Sequence, residues 1–164
     1  MEIITALLVL VGTVTTLAGP AQKPAAGSGK PPTVLFMCPH GAAKSVLASA
    51  YFEHFAKERG LNVRVLAAGT DPDPQVSPAV ERHLKNGGYR VPVTKPRRVT
   101  ADDLKTADVV VSLGCDLKDL PPPSGTLRNW DDVPAPSENF AAADAKIRER
   151  VMELVDEFVK KQGR

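Results

Sequence analysis

Residues 33–45 read Thr33-Val34-Leu35-Phe36-Met37-Cys38-Pro39-His40-Gly41-Ala42-Ala43-Lys44-Ser45. A short apolar run ends in a cysteine, breaks into small residues, and gives way to a Lys-Ser pair that opens a helical pattern. Such a run bounded by Pro and Gly predicts a buried strand, and the turn after it delivers the chain into a helix N-terminus. The first N–H groups of a helix have no partner within it, and the helix dipole favours negative charge at the same place. The segment therefore predicts an oxyanion-binding loop, Pro39, His40, Gly41, Ala42 and Ala43, with a thiol at its mouth.

A thiol beside a helix N-terminus and a lysine ionises more easily than a free one, its pKa falling from about 8.5 to roughly 3.5–7.5. Cys38 is thus expected as a thiolate nucleophile, Lys44 as the cation beside the oxyanion, and Ser45 as a hydrogen-bond donor to the sulfur. The competing expectation is a core cysteine at a strand end, since free cysteine is among the most buried residue types.

From Cys38 to Ser45, directly after Val34-Leu35-Phe36-Met37, the chain resembles the signature loop of the low-molecular-weight protein tyrosine phosphatase superfamily, which includes the thioredoxin-coupled arsenate reductases. The likeness extends from Thr33 to about Lys161. The family's loop is a cysteine, five residues, an arginine and a serine, and here Lys44 stands in the arginine's place. The resemblance implies phosphomonoester hydrolysis through a cysteinyl-phosphate, with a loop aspartate before a proline protonating the leaving group. Trp130-Asp131-Asp132-Val133-Pro134 matches that loop one residue out of step, which puts Asp132 ahead of Asp131 as the acid. A pair of turn or N-cap aspartates is the alternative.

In the arsenate reductases a second cysteine, in a stretch similar to Ser112-Leu113-Gly114-Cys115-Asp116, attacks the first. Cys115 is accordingly a candidate redox partner of Cys38, or else a small packing residue. The family's third cysteine falls where Pro122 stands, and the chain has 2 cysteines in all. Only a Cys38–Cys115 disulfide reduced by an outside thiol, such as thioredoxin or glutathione, fits the reductase chemistry.

The rest of the chain alternates. Strands are expected at Thr33–Met37, Asn62–Ala68, Asp108–Leu113 and Thr126–Trp130. Helices are expected from Ser45 to Arg59, from the Ser77-Pro78 N-cap to Gly87-Gly88, over Ala101–Thr106, and over a last stretch with Phe140, Ala143, Ile147, Val151, Leu154, Val155 and Phe158 at helical spacing. This order implies an α/β fold, an open, doubly wound, four-stranded parallel sheet with helices on both faces. Ligands in such sheets bind beyond the carboxyl ends of the strands. Cys38, Cys115 and Asp131-Asp132 follow strands one, three and four, so all should share one rim.

A chain of 164 residues that is 43% hydrophobic has room for one domain with a proper core. A net charge of +2 and 5% aromatic content give no ground for a nucleic-acid partner. Two cysteines make no disulfide scaffold. Neither a metal site nor a cofactor is expected, and the domain is expected as a monomer.

The N-terminus is different: Ile3 to Ala18 carries no charge, and it is shorter than the ~20 residues of a spanning helix. Residues 1–21 are read as a signal peptide or short N-terminal anchor, 22–32 as a Pro/Gly/Ala linker, and 33–162 as the phosphatase-like domain. That reading implies an exported (periplasmic or secreted) or membrane-anchored protein, with a cytoplasmic enzyme as the alternative and no membrane span in the folded domain. Three functions are left: a phosphomonoester hydrolase, an arsenate-reductase-like oxyanion reductase, and an inactive oxyanion-binding module. Lys44 makes the hydrolase slow, because an ammonium offers one good bond where a guanidinium offers two.

Overall fold

The computed structural model describes residues 29–163; the expected signal or anchor segment, 1–21, and linker residues 22–28 lie outside them. The elements in chain order are β1 (Thr33–Cys38), α1 (Lys44–Glu58), β2 (Arg64–Gly69), α2 (Pro78–Asn86), α3 (Ala101–Thr106), β3 (Val109–Ser112), β4 (Thr126–Asn129) and α4 (Phe140–Gln162). The four strands form one sheet in the order β2-β1-β3-β4, with every pairing parallel. The expected α/β architecture is the observed one.

Strand β1 lies inside the sheet, all six of its residues are buried, and its side chains divide by the period of two that a pleated strand imposes. Val34, Phe36 and Cys38 join Val109, Val111 and Leu113 in the larger core beneath α1, α2 and α4. Leu35 and Met37 join Val110 in a smaller core under α3, with Leu104 and Ala107. Both faces of the sheet are covered, which explains why β1 and β3 read as continuous apolar runs.

Strand ends differ from expectation by one or two residues. Strand β1 reaches Cys38, because the ladder with β2 continues from Thr33↔Arg64 to Cys38↔Gly69. Strand β3 stops at Ser112; Leu113 N–H still donates to Met37 O at 2.8 Å, and the chain then turns through Gly114 at φ 82°. Helix α1 is buried nearly all round from Ser45 to Phe52. Phe52 fills the space between sheet and α4, with ring centroids 5.7 Å from Phe36 and 5.6 Å from Phe158. Burying such a ring contributes roughly 1.5–3 kcal/mol.

Candidate active site

The loop between β1 and α1 is held from behind. Its carbonyls are taken by the segment after β2: Pro39 O accepts from Asp71 N–H at 2.8 Å, His40 O from Asp73 N–H at 3.0 Å, and Ala42 O from Ser77 N–H at 2.9 Å. A trans peptide points its N–H opposite to its C=O, and no peptide among the described residues is cis. Fixing these carbonyls outward therefore turns the His40 and Ala43 N–H groups to the other side. Two glycines permit the approach. Gly41 has φ 61°, and a Cβ there would lie 2.9 Å from Gly69 N. A Cβ on Gly69 would lie 2.6 Å from Gly41 N. Neither position accepts a side chain without moving backbone.

Helix α1 begins at this loop without a cap. Its N-cap is Ala43, which has no side-chain oxygen, and its first turn contains no acidic residue. By contrast α3 and α4 are capped by Thr100 and Asn139. The positive end of α1 is left to whatever occupies the loop. Cys38 sits there: Ser45 N–H donates to its Sγ at 3.5 Å, and its thiol bonds Ser45 Oγ at 3.3 Å. Ser45 is itself fully buried. Once the sulfur is ionised, the same hydroxyl serves as donor to it.

A cavity of about 550 Å³ opens over this sulfur, lined in part by Cys38, Pro39, His40, Ala42, Ala43 and Lys44. Lys44 Nζ donates to Val133 O at 3.3 Å and packs over Gly114, whose added Cβ would lie 3.3 Å from it. The lysine thus bridges the signature loop to the loop carrying the two aspartates. The far wall of the cavity is Asp73, Ser77, Ala79, Ala135, Pro136, Ser137 and Phe140.

Asp131 and Asp132 are not among those lining residues. Asp131 Oδ1 accepts from Gly114 N–H at 3.1 Å, which ties the β4 rim to the β3 rim. Asp132 faces α4, 2.5 Å from Lys146 and 2.7 Å from Arg150. Hydrogen bonding from Lys146, with the charge of Arg150, holds its carboxyl below the usual carboxylate range.

Cys115 lies on the shared rim, its N–H donating to Ser112 Oγ at 3.3 Å. Burial, with the charge of Cys38, pushes its thiol up to about 11, although Ser112 and Lys44 pull the other way. Both cysteines are free. Among the described residues no group of three or more His, Cys, Asp and Glu side chains converges as a metal site would require. No helix among them is long and apolar enough to cross a membrane.

Asp73 and Ser77 were not legible as site residues. Ser77 reads as an N-cap, and it does occupy that position of α2, yet it makes no side-chain cap bond and lines the cavity instead. Asp73 is brought in by the backbone bonds of residues 71–77 to the loop, and nothing in its own neighbourhood of the sequence announces them.

Residues 33–163 match the family model described as low molecular weight phosphotyrosine protein phosphatase. A candidate arsenate reductase of Halobacterium salinarum is 30% identical over 128 residues, which is 75% of this chain and 90% of that protein. The thioredoxin-dependent arsenate reductase of Corynebacterium glutamicum superposes with a TM-score of 0.70 at 28% identity, covering 80% of this chain; the match spans 64% of that enzyme's length. A low molecular weight phosphotyrosine phosphatase of Vibrio cholerae superposes with a TM-score of 0.69 at 23% identity, over 79% of this chain and 97% of that one.

Proposed function

This chain belongs to the low molecular weight phosphotyrosine protein phosphatase family of enzymes, and from that premise we propose that it is a cysteine-dependent phosphomonoester hydrolase. One observation carries the reading: the sulfur of Cys38, bonded to Ser45, faces a cavity at the uncapped N-terminus of α1 with Lys44 on its wall. Attack by Cys38 Sγ forms an S–P bond and breaks the P–O bond to the leaving alcohol. Water then forms a new P–O bond, and the S–P bond breaks to regenerate the cysteine. The inward N–H groups and Lys44 hold the phosphoryl oxygens as charge moves onto them.

Lys44 in place of the family's arginine predicts slow turnover. A lost charge-assisted bond costs about 1.5–3 kcal/mol, or roughly ten- to a hundredfold in rate. The deciding experiment assays the full chain for aryl phosphate hydrolysis and, beside it, for thiol-dependent arsenate reduction. The expected result is hydrolysis that disappears in Cys38→Ala. Arsenate reduction without hydrolysis would overturn it.

That second outcome is the alternative reading, an arsenate reductase using a Cys38–Cys115 disulfide and an external thiol such as thioredoxin or glutathione. The charge of Cys38, which reaches the Cys115 thiol, favours it. The raised thiol of Cys115 weighs against it, since a protonated thiol is a poor attacking group.

A further inference from the structure

We infer that His40, held by Asp73, donates the proton to the leaving group, the role that the sequence gives to Asp131 or Asp132. The inference rests on the hydrolase reading of Cys38 and deepens it. His40 and Asp73 line the cavity over the sulfur; Asp131 and Asp132 do not. Asp132 is engaged by two cations on α4, which keep it ionised and leave it no proton to give. Asp131 spends an oxygen on Gly114 N–H.

His40 is fixed twice by one residue. Its carbonyl accepts from Asp73 N–H at 3.0 Å, and its Nδ1 lies 3.3 Å from Asp73 Oδ1. A carboxylate on Nδ1 sets the ring's orientation and leaves Nε2 as the free nitrogen. The backbone under His40 cannot drift, because Gly41 and Gly69 are packed backbone to backbone beneath it. Imidazole is also the side chain suited to giving a proton and taking one back near neutral pH. The other titratable groups lining this cavity are Cys38, Lys44 and Asp73.

The step balances. As Cys38 Sγ, entering as the thiolate, bonds to phosphorus, the departing oxygen takes the Nε2 proton of His40, which enters as the imidazolium with its Nδ1 proton toward Asp73. When water attacks the cysteinyl-phosphate, Nε2 takes a proton from that water, and Cys38 leaves with the S–P electron pair. Asp73 touches no reacting atom and is a positioning residue.

The test is leaving-group dependence in the full chain, from dinitrophenyl phosphate, whose phenolate leaves unaided, to phenyl phosphate, whose phenolate needs a proton. General acid catalysis contributes about a hundredfold or more. His40→Gln should therefore lower kcat for phenyl phosphate by about that factor, with the loss shrinking steadily as the leaving group becomes more acidic. Asp73→Asn should steepen the same dependence more mildly at constant KM, which a merely structural role would not do. A uniform loss across the series in His40→Gln, with the steepening found in Asp131→Asn instead, would overturn the assignment and leave the hydrolase standing. If the unmodified chain hydrolyses no aryl phosphate, both readings fall together.

Discussion

At the scale of single residues, Lys44 and Cys38 carry the sharpest expectations. Lys44→Arg should raise aryl phosphate hydrolysis by about one to two decades, the worth of one recovered charge-assisted bond, and steady-state kinetics on the two proteins measures it. Unchanged or lower activity would mean that the site is built around the ammonium and its bond to Val133 O. A thiol-alkylating reagent should modify Cys38 at pH 6–7 well before Cys115, and phosphate or arsenate should protect it. Cys115 should react only as the pH climbs toward the value of about 11 to which burial and Cys38 push it. The nucleophile and its loop were legible because five residues between Cys38 and Lys44 encode one local turn. His40's partner was not, because Asp73 reaches it through β2, and a sequence gives no distance between residues that far apart.

At the scale of elements, the contact between the signature loop and the end of β2 decides whether a site exists. Gly69→Ala would drive a Cβ to 2.6 Å from Gly41 N. We expect a loss of about 1–3 kcal/mol, as overpacking commonly costs, with activity falling further than stability because the loop itself is displaced. Urea denaturation read beside hydrolysis separates the two. Helix α3 offers a control away from the site. There Thr100 Oγ accepts from Asp103 N–H, and the Asp103 carboxylate accepts from Thr100 N–H. Thr100→Ala should cost about 1 kcal/mol and leave hydrolysis as it was. The strands and helices themselves were readable: β1 as a continuous apolar run, and α4 by its apolar residues at helical spacing. What periodicity could not show is that α1 is covered on nearly all sides, since that depends on how α2 and α4 close over it.

At the scale of the whole molecule, one half-buried polar joint pins three helices together and borders the active site. Tyr51 on α1 donates its hydroxyl to Asp144 on α4, lies 3.0 Å from His83 Nε2 on α2, and accepts from Arg148 at 3.3 Å. Arg148 also donates to Tyr89 at 2.6 Å, and His83 stacks edgewise on Phe140, which lines the cavity. Burial and the bond to Asp144 push the Tyr51 hydroxyl far above its ordinary value of 10.0. A pKa raised by folding contributes stability that is present below the unfolded value and lost as the pH rises through the folded one. Unfolding free energy should therefore decline above pH ~10, and Tyr51→Phe should flatten that alkaline slope. At neutral pH the same variant should cost about 1–3 kcal/mol, for it leaves Asp144 short of a donor. The central claim, that Cys38 is the covalent nucleophile, is tested most directly by acid-quenching the full chain during aryl phosphate turnover and mapping the phosphoryl group by peptide mass spectrometry. The account predicts a phosphoryl group on Cys38, with both adduct and turnover gone in Cys38→Ala. Continued turnover in Cys38→Ala, or a phosphoryl group on any other residue, would contradict it.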